Sequence, residues 1–542
     1  MEHLDHKKKI MIMIAIMSAM LFAAINQTIV GTALPRIIAD LGGMQYFSWV
    51  FTIFMLASSI TAILVGKLSD IYGRKPFILI GIGIFMIGTF LCGTSDTIIH
   101  LIIYRAVQGL GAGMIMSTAF TAVGDLFSPR ERGRWQGIMG SVFGLASVFG
   151  PTLGGYIVDN FDWRWIFWVF LPIGVVAFIL IWRLFPSVDR SKAEKVDYLG
   201  SIFLTFTVLP MLLAFSWAGK TYEWSSPQII GLFSATVIAL IIFIQIERKS
   251  KSPVLPLHLF KNSIFTLSNI IGFIIGMGMF GAVMYTPFFI QGVMAKSATA
   301  SGFIMMPMTL AMVASSTICG QFITKTGKYK IFAILGLTIM SSGMFLLSMM
   351  DSNTSGWMTV MNMSIVGIGL GMSFPVFTLT IQNAVSHKFL GVATSSAQLF
   401  RQLGGTVGVS IMGTIMASSM KDELSKTSGG KATEALANNP EAAEKFKALQ
   451  DPQILMDPNR LEKIRSSLPE AFTGVFEQVV NVLRTALGHA LSDVFLTGAI
   501  FIGSAVLLTF LLREIPLRMS NTEPAVNEKE AKSTTELKER SV

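Results

Sequence analysis

The sequence predicts an all-α integral membrane protein with fourteen transmembrane helices, and three observations support this fold class. The 542 residues are 52% hydrophobic and only 14% charged, with a mean hydropathy of +0.62, whereas soluble domains carry about 25% charge. Apolar runs of the roughly 20 residues needed to cross a membrane recur along the whole chain. Basic residues are concentrated in alternate loops between these runs.

The apolar runs give the number and order of the predicted spans. They cover residues 10–34, 46–66, 77–95, 98–123, 136–158, 164–184, 198–218, 228–247, 264–290, 300–323, 330–350, 357–382, 392–418 and 491–512. Pro210 interrupts the seventh run, so the predicted number of spans could differ from fourteen by one pair of helices. The first run follows three lysines, but it is too long for a signal peptide and no small-residue cleavage site closes it, so we interpret it as a retained span.

The distribution of basic residues predicts the orientation in the membrane. The short loops predicted to lie outside hold only Arg36, Arg164, Lys220 and Lys296, and most other loop lysines and arginines fall on the opposite side. Because basic loops stay in the cytoplasm, both chain ends are predicted to be cytoplasmic. The net charge of +10 is therefore explained by topology and by contact with anionic membrane lipids, without a nucleic-acid partner.

A faint internal repeat indicates how the chain is organised. The stretch GKLSDIYGRK at 66–75 and the stretch GQFITKTGKYK at 320–330 each link a span that ends inside to the next span. The aligned residues are Gly66 with Gly320, Gly73 with Gly327, and Arg74 with Lys328, while Asp70 is replaced by Thr324. Repeats at this separation are typical of transporters that carry a substrate site between two halves.

The repeat predicts two pseudo-symmetric six-helix halves, at residues 1–185 and 263–512. Residues 186–262 supply two inserted helices and their linkers. Residues 419–490 form a predicted extracellular segment, polar at first and then amphipathic, that runs as a helix into the last span. The charged tail at 513–542 lacks apolar periodicity and is predicted to be a disordered cytoplasmic extension.

Several classes of function lack the residues that they need. Cys92 and Cys319 both lie in apolar runs, and no Cys/His cluster has metal-ligand spacing, so no metal and no cofactor is predicted. The glycine-rich strings at 109–113 and 367–372 follow no strand and carry no phosphate-binding lysine, which argues against a nucleotide loop and an ATP-driven pump. No nucleophile-base arrangement is visible, so an enzyme is not predicted.

Several motifs resemble those of the major facilitator superfamily. They are GKLSDIYGRK after span 2, LIIYRAVQGLGAG in span 4, FGLASVFGPTLGG in span 5 and FDWRWIFWVFLPIG leading into span 6. The fourteen spans, TIVGTALP in span 1 and ATSSAQLFRQLGGTVG in span 13 are similar to the drug:proton antiporter branch. That resemblance covers about residues 10–415 and the last span. It implies export of small amphipathic substrates across the bacterial plasma membrane, by alternating access and driven by protons.

The resemblance implies a conformational latch in the loop between spans 2 and 3. Its residues are Gly66, Asp70, Gly73, Arg74 and Lys75. A carboxylate at Asp70 can cap a helix N-terminus, where negative charge is favoured by about 0.3–1 kcal/mol. Arg74 and Lys75 can pair with that acid and with lipid phosphate. The alternative is a solvated loop that only anchors two helices.

Span 5 carries small residues four apart that let helices approach closely. They are Gly140, Gly144, Ala146, Gly150, Gly154 and Gly155. Pro151 removes a backbone hydrogen bond and permits a bend. In the family this stretch, with Gly150, Pro151, Gly154 and Gly155, marks exporters and implies a hinge; a glycine is usual where this chain has Ala146. Plain helix packing explains the same residues.

Two arginines and two amides lie inside predicted spans. Burying Arg105 or Arg401 costs at least about 2.5–3.5 kcal/mol, so each is expected to have a partner or face a cavity. The resemblance implies that Arg105 acts in proton coupling beside span 1. Asn26, Gln27, Gln108 and Arg401 are expected at the same site or along its cavity; an interhelical hydrogen bond is the alternative for Gln108, and a structural arginine explains Arg401 equally well. The family commonly has an acid at the position of Asn26, next to Gln27.

An asparagine cannot titrate, and no Asp or Glu lies well inside any span. Three hypotheses follow. Coupling has moved to a peripheral acid such as Asp40 or to the substrate's own proton, or Asn26 is an engineered replacement that mimics the protonated acid, or the protein is uncoupled.

Two arginines without an acid favour neutral, zwitterionic or anionic amphiphiles over cations. A lipid or glycolipid translocator of the same fold and a non-transporting membrane receptor are the alternative functions.

Overall fold

The structure, a computed structural model, is helical through almost all of the chain that it describes. The described residues are 4–41, 47–186, 197–219, 222–250, 253–296, 298–427, 455, 458–467 and 470–517. Within them, fourteen helical segments are long and apolar enough to cross a membrane. The predicted fold class is therefore confirmed, and Pro210 lies inside one continuous helix and does not split the seventh span.

The helices are numbered in chain order. They are α1 (His6–Leu41), α2 (Phe47–Tyr72), α3 (Arg74–Gly93), α4 (Ile98–Leu126), α5 (Pro129–Asn160), α6 (Trp165–Trp168), α7 (Leu171–Leu184), α8 (Tyr198–Trp217), α9 (Pro227–Lys249), α10 (Ser263–Phe288), α11 (Ala298–Thr326), α12 (Lys330–Ser348), α13 (Gly356–Asn383), α14 (Leu390–Thr427), α15 (Pro458–Ser467) and α16 (Glu470–Phe510). The short helix α6 and helix α7 together make the sixth span.

Helices α1 to α7 enclose one hydrophobic core, the N-terminal core, whose buried residues lie between 12 and 185. Helices α10 to α16 enclose a second, the C-terminal core, with residues between 264 and 517. The pairs in contact repeat: α1 packs on α5 as α10 packs on α14, α2 on α4 as α11 on α13, and α3 on α4 as α12 on α13. Gly73 and Gly327, which the sequence repeat aligns, both have a positive φ, 91° and 73°.

The two extra helices pack beside the boundary between these cores. Helices α8 and α9 contact each other, and α8 also contacts α2 and α14. A third apolar cluster joins them to both sides through residues such as Ile63, Leu204 and Val392. The inserted pair therefore flanks the contact between α2 and α14.

The last span is longer than the sequence pattern predicts. Helix α16 begins at Glu470 and enters the last span unbroken, as the sequence predicts. The span itself begins at Phe476 and not at 491, because the amphipathic part of the helix continues into the core, where Phe476, Leu483 and Leu487 are buried. The rest of the predicted extracellular segment is described only in part, since 428–454 lies outside the described residues. Of the predicted disordered tail, 513–517 is described and 518–542 is not.

Both described chain ends lie on one side of the helices, called here the terminus side. Lys9 Nζ, near the start of α1, lies 5.7 Å from the centre of the Phe127 ring at the end of α4. Near the other end, Glu514 accepts hydrogen bonds from the backbone N–H groups of Tyr329 and Lys330, where α12 begins. An even number of spans requires this arrangement.

Candidate functional site

A cluster of charged groups lies on the terminus side where α2 turns into α3. Gly73 makes this turn with its positive φ, which brings Arg74 back beside Asp70. The Arg74 guanidinium donates to Asp70 Oδ1, to Ser69 Oγ at 2.6 Å and to Asp125 Oδ2 at 3.1 Å. Asp70, Arg74 and Asp125 are all buried. Together with Gly391 and Val392, which they meet, these residues are called the latch cluster.

Asp70 joins the N-terminal core to the C-terminal core. Its two carboxylate oxygens accept the backbone N–H groups of Gly391 and Val392, each at 3.1 Å. These are the first N–H groups of α14, which have no partner within the helix and carry its positive dipole end. The predicted capping role of Asp70 thus has a defined target, the N-terminus of a helix in the other core.

Close backbone contact supports this capping bond. A Cβ atom at Gly66 would lie 2.7 Å from Ser395 Cβ and 3.0 Å from Gly391 O, so α2 and α14 can approach this closely only with glycine there. Ser117 Oγ on α4 and Ser395 Oγ on α14 lie 2.8 Å apart. Lys75, the remaining residue of the predicted latch, is half-buried and has no hydrogen bond or ion pair to the described residues.

A second contact between the cores runs along α5 and α11. A Cβ atom at Gly137 would lie 2.6 Å from Ser316 O, and one at Gly133 would lie 3.3 Å from Gly320 O. Nearby, Gln136 donates to Gln382 Oε1 at 2.8 Å. No hydrogen bond between described residues of the two cores lies farther from the terminus side than the Ser141–Thr317 pair. The cores are thus closed against each other on the terminus side.

The small residues in the predicted hinge stretch of α5 differ in how closely they approach other helices. Gly150 faces α1, where a Cβ atom would lie 2.9 Å from Thr28 Cβ, and Thr28 Oγ1 donates to Ala146 O at 2.9 Å. Gly154 is buried, whereas an added Cβ at Gly155 would meet nothing within 4 Å. Pro151 lies within α5, but its side chain is outside the described part. Gly150 is therefore a packing contact between α1 and α5.

The N-terminal core contains a buried polar network, called here the amide network, formed by Asn26, Thr89, Arg105 and Gln108. Gln108 Nε2 donates to Thr89 Oγ1 at 2.7 Å and to Asn26 Oδ1 at 3.4 Å. Arg105 Nη1 donates to Gln108 Oε1 at 2.5 Å, and Asn26 Nδ2 donates to Phe22 O at 3.0 Å. All four side chains are fully buried. Three of the predicted coupling residues therefore form one unit.

The arginine of this network has carbonyl and aromatic partners. Its Nε donates to Val50 O at 3.3 Å, its Nη1 approaches the backbone oxygen of Asn26 at 3.5 Å, and its Cζ lies 4.2 Å from the centre of the Phe54 ring. Nη2 is buried and makes no hydrogen bond to any residue that the structure describes. The Asn26 side chain is linked to Arg105 through Gln108.

The other two predicted cavity residues lie apart from the amide network. Gln27 is half-buried, and its Nε2 approaches Met55 Sδ at 3.3 Å. The Arg401 guanidinium stacks on Phe374, with Cζ 4.0 Å from the ring centre. Arg401 makes no side-chain hydrogen bond or ion pair to the described residues, so its charge is the less compensated of the two arginines.

The acidic residues that could carry a proton lie near the ends of helices. Among described residues, the buried carboxylates are Asp70, Asp125 and Glu247. Glu247 Oε1 accepts the backbone N–H groups of Val254 and Leu255, at 3.0 and 3.3 Å. On the opposite side, exposed Asp40 accepts from Trp163 Nε1 at 2.9 Å. No described carboxylate is part of the amide network.

Sequence reasoning missed the partners that complete the latch cluster. Asp125 lies far along the chain from Arg74, and Gly391 and Val392 contribute backbone N–H groups, which carry no sequence signal. The pairing of Gln136 with Gln382 was missed as well, because 246 positions separate the two residues in the sequence.

Comparison with known proteins is consistent with this arrangement. The sequence matches the family model of the Major Facilitator Superfamily over residues 16–409. It is 39% identical over 520 residues to a protein of Bacillus subtilis (strain 168) named multidrug transporter protein MdtP, covering 95% of this chain and 94% of that one. It is 35% identical over 505 residues to multidrug resistance protein 3 of the same organism, covering 92% and 94%.

Solved structures show the same fold at low identity. The human organic anion transporter MFSD10 superposes with a TM-score of 0.58 and 14% identity, over 91% of this chain and 99% of that one. A bacterial homologue of the human lysosomal transporter Spinster, inward-facing and occupied, gives 0.57 and 14%, over 96% and 100%.

Proposed function

The chain belongs to the major facilitator superfamily, and we propose that it exports small amphipathic compounds across the bacterial plasma membrane in exchange for protons. The observation that carries this proposal is the likeness, over almost the full length of each chain, to two bacterial proteins named for multidrug transport or resistance. Transport by a multi-pass membrane protein follows from the family itself.

The proposed cycle is alternating access between two halves, residues 1–185 and 263–512. The latch cluster and the α5–α11 contact hold the terminus side shut in this structure. If both chain ends lie in the cytoplasm, as the basic loops favour, a conformation closed on this side is the one from which substrate would leave to the outside. Breaking the bond from Asp70 to the α14 N-terminus would then allow the cytoplasmic side to open, with the Gly150–Gly155 stretch of α5 adjusting against α1.

Proton coupling requires an acid other than residue 26. The amide network binds Arg105 without a carboxylate, and Asn26 cannot titrate. The proposal therefore places the exchanged proton on a peripheral acid or on the substrate itself. Asp40 and Asp125 are the first acids to test.

Transport into inside-out membrane vesicles tests the proposal directly. Vesicles containing the protein are energised to acidify the lumen, and uptake of a fluorescent amphiphile is recorded before and after nigericin collapses the pH gradient. We expect accumulation that stops when the gradient is lost. Vesicles without the protein provide the baseline.

The outcomes separate the two parts of the proposal. No accumulation above baseline for any of a panel of amphiphiles contradicts export. Accumulation that continues unchanged after nigericin contradicts proton exchange and leaves export standing. If Asp40→Asn or Asp125→Asn alone removes the response to the gradient, that residue carries the coupling proton.

A further inference from the structure

We propose that Arg401 and Phe374 form the subsite that binds the anionic group of the exported compound, so that aromatic amphiphiles with one carboxylate or sulfonate are the preferred substrates. This inference rests on the proposed export function and adds to it a substrate class and a pair of binding residues. It follows from the depth of Arg401, its missing partners and its position between the cores.

Arg401 lies near the middle of the membrane. It is eleven residues after the start of α14 at Leu390, which places it about 16 Å along the helix at 1.5 Å per residue. The hydrocarbon region is about 30 Å thick. A guanidinium at this depth is costly unless its charge is compensated.

The charge of Arg105 is compensated by hydrogen-bond acceptors, and the charge of Arg401 is not compensated in this way by the described residues. Arg105 donates to Val50 O and Gln108 Oε1 and is fully buried. The guanidinium of Arg401 carries five N–H donors, yet it makes no hydrogen bond to the described residues and only stacks on Phe374. Arg401 is also half-buried, so a molecule the size of water can reach it. The hydrogen bonds of Arg105 are made within the N-terminal core, whereas the donors of Arg401 are available to a ligand.

Arg401 faces the boundary between the cores and not the lipid. Phe374, on which it stacks, packs against the N-terminal core although it belongs to α13. Six residues nearer the terminus side, Ser395 of the same helix contacts Ser117 of α4. The guanidinium therefore lies above the closed contact, about 9 Å along α14, on the side toward which the cores are expected to separate.

The chemistry of the pair selects an anion with an aromatic body. Arginine binds carboxylate and sulfonate with two parallel hydrogen bonds and remains charged at every physiological pH. The Phe374 ring offers an aromatic surface to the apolar part of the ligand. The buried carboxylates of the described residues lie near helix ends, where Asp70 and Asp125 already pair with Arg74 and Glu247 accepts backbone N–H groups. No acid competes for Arg401, and none there would attract a cation.

A pair of probes that differ only in charge tests the subsite. Binding of 1-pyrenebutyrate and of its methyl ester to the full-length protein in nanodiscs is measured by fluorescence at neutral pH. For the wild type we expect tighter binding of the carboxylate. Arg401→Gln should weaken carboxylate binding by about tenfold or more, the usual effect of losing a hydrogen bond between charged groups, and change ester binding less than twofold. Arg401→Lys, which keeps the charge, should retain part of the preference.

Arg183→Gln, at an exposed arginine in the last turn of α7, is the matched control and should leave both affinities unchanged. A thermal unfolding curve for each variant shows whether the protein is folded. If Arg401→Gln does not fold, the probe affinities of Arg401→Lys test the subsite instead. Equal weakening of both probes, no weakening of either, or a wild type that prefers the ester overturns the subsite. Export of the ester in the vesicle assay, with no preference for the carboxylate, would leave the proposed function intact.

Discussion

At the scale of single residues, Asn26 uses both atoms of its amide in hydrogen bonds. Its Nδ2 donates to Phe22 O at 3.0 Å and its Oδ1 accepts from Gln108 at 3.4 Å. A carboxylate could accept from Gln108 but could not donate to Phe22. It would, however, lie near Arg105, whose buried Nη2 has no hydrogen bond within the described part of the chain. An acid at position 26 would therefore lose the bond to Phe22 O and gain the charge of Arg105 as a neighbour.

We therefore expect Asn26→Asp to fold and to make transport depend more strongly on the pH gradient. The matched control is Asn269→Asp. Asn269 is equally buried and makes the same bond four residues back, to Phe265 O at 2.8 Å, but its oxygen accepts from Ser396 Oγ and not from a residue bonded to arginine. This control should lose stability by several kcal/mol or bind a proton instead. Vesicle uptake with and without nigericin, together with unfolding temperatures, checks both. If the two variants show the same pH-gradient dependence and the same unfolding temperature, position 26 has no special relation to Arg105.

Tyr329 gives a prediction for the effect of pH on stability. Its hydroxyl oxygen accepts the backbone N–H of Ile515 at 2.9 Å, and burial raises the pKa of the phenol above its ordinary value. The unfolded chain ionises first as the pH rises, so the contribution of Tyr329 is complete below about pH 10 and is lost above it. Tyr329→Phe should cost about 1 kcal/mol near neutral pH, and the difference from wild type should shrink at higher pH. Unfolding temperatures of both proteins in detergent across that range measure this difference, and a constant gap would contradict the prediction.

At the scale of helices, one side chain connects two elements that the sequence places far apart. Asp70 on α2 holds the N-terminus of α14 while it pairs with Arg74. A hydrogen bond to a charged group contributes about 1.5–3 kcal/mol. This amount is enough to shift a balance between two conformations by about tenfold or more.

Asp70→Asn should therefore open the terminus side and lower the transport rate by roughly tenfold. The Asp70 carboxylate accepts one backbone N–H on each of its two oxygens, whereas an asparagine amide has only one oxygen that can accept. The amide is also neutral, so it no longer compensates the charge of Arg74. Alkylation of a cysteine introduced as Ser117→Cys, which is buried at the contact, should become faster in the Asp70→Asn background. Asp162→Asn, at an exposed carboxylate paired with Arg164, should leave the alkylation rate unchanged. An unaltered rate for Asp70→Asn would show that other contacts hold this side closed.

The two glycines of the hinge stretch should respond differently to the same substitution. At Gly150 an added methyl group would lie 2.9 Å from Thr28 Cβ on α1, while at Gly155 it would meet nothing within 4 Å. Overpacking of this kind typically costs about 1–3 kcal/mol. Gly150→Ala should lower the unfolding temperature in detergent and the transport rate, and Gly155→Ala should change neither. A loss of transport in Gly155→Ala without a loss of stability would instead support a hinge role at that glycine.

At the scale of the whole molecule, the number and order of the spans were predictable, whereas the contacts between the cores were not. Each span is a local signal of about 20 apolar residues, and the described residues contain the fourteen that the sequence predicts. The start of the last span was placed at 491 and lies at Phe476, because the amphipathic face of α16 continues into the core. Asp70, Arg74, Asn26, Arg105 and Gln108 stood out as polar residues in or beside apolar runs. Their partners did not, because Gly391 offers only a backbone N–H and lies 321 positions from Asp70.

If the two cores move against each other, joining them on the terminus side must stop transport. Ser117 Oγ and Ser395 Oγ lie 2.8 Å apart across the contact, so the double variant Ser117→Cys/Ser395→Cys should form a disulfide under mild oxidation. The two native cysteines, Cys92 and Cys319, are buried and unpaired, and both are replaced by serine or alanine in the background protein. Oxidation should abolish vesicle uptake, and reduction should restore it.

The control joins two residues of a single core. Ser492 Oγ donates to Ser348 O within the C-terminal core, so a bridge in Ser348→Cys/Ser492→Cys crosses no moving boundary and should leave uptake intact. Formation of each bridge is measured by mass spectrometry. Full transport in the oxidised Ser117–Ser395 variant would mean that substrate crosses the membrane without separation of α4 from α14, and alternating access between these two cores would be the wrong description. Loss of transport only in that variant ties the closed contact seen here to one step of the cycle, because the same chemistry within one core leaves the cycle running.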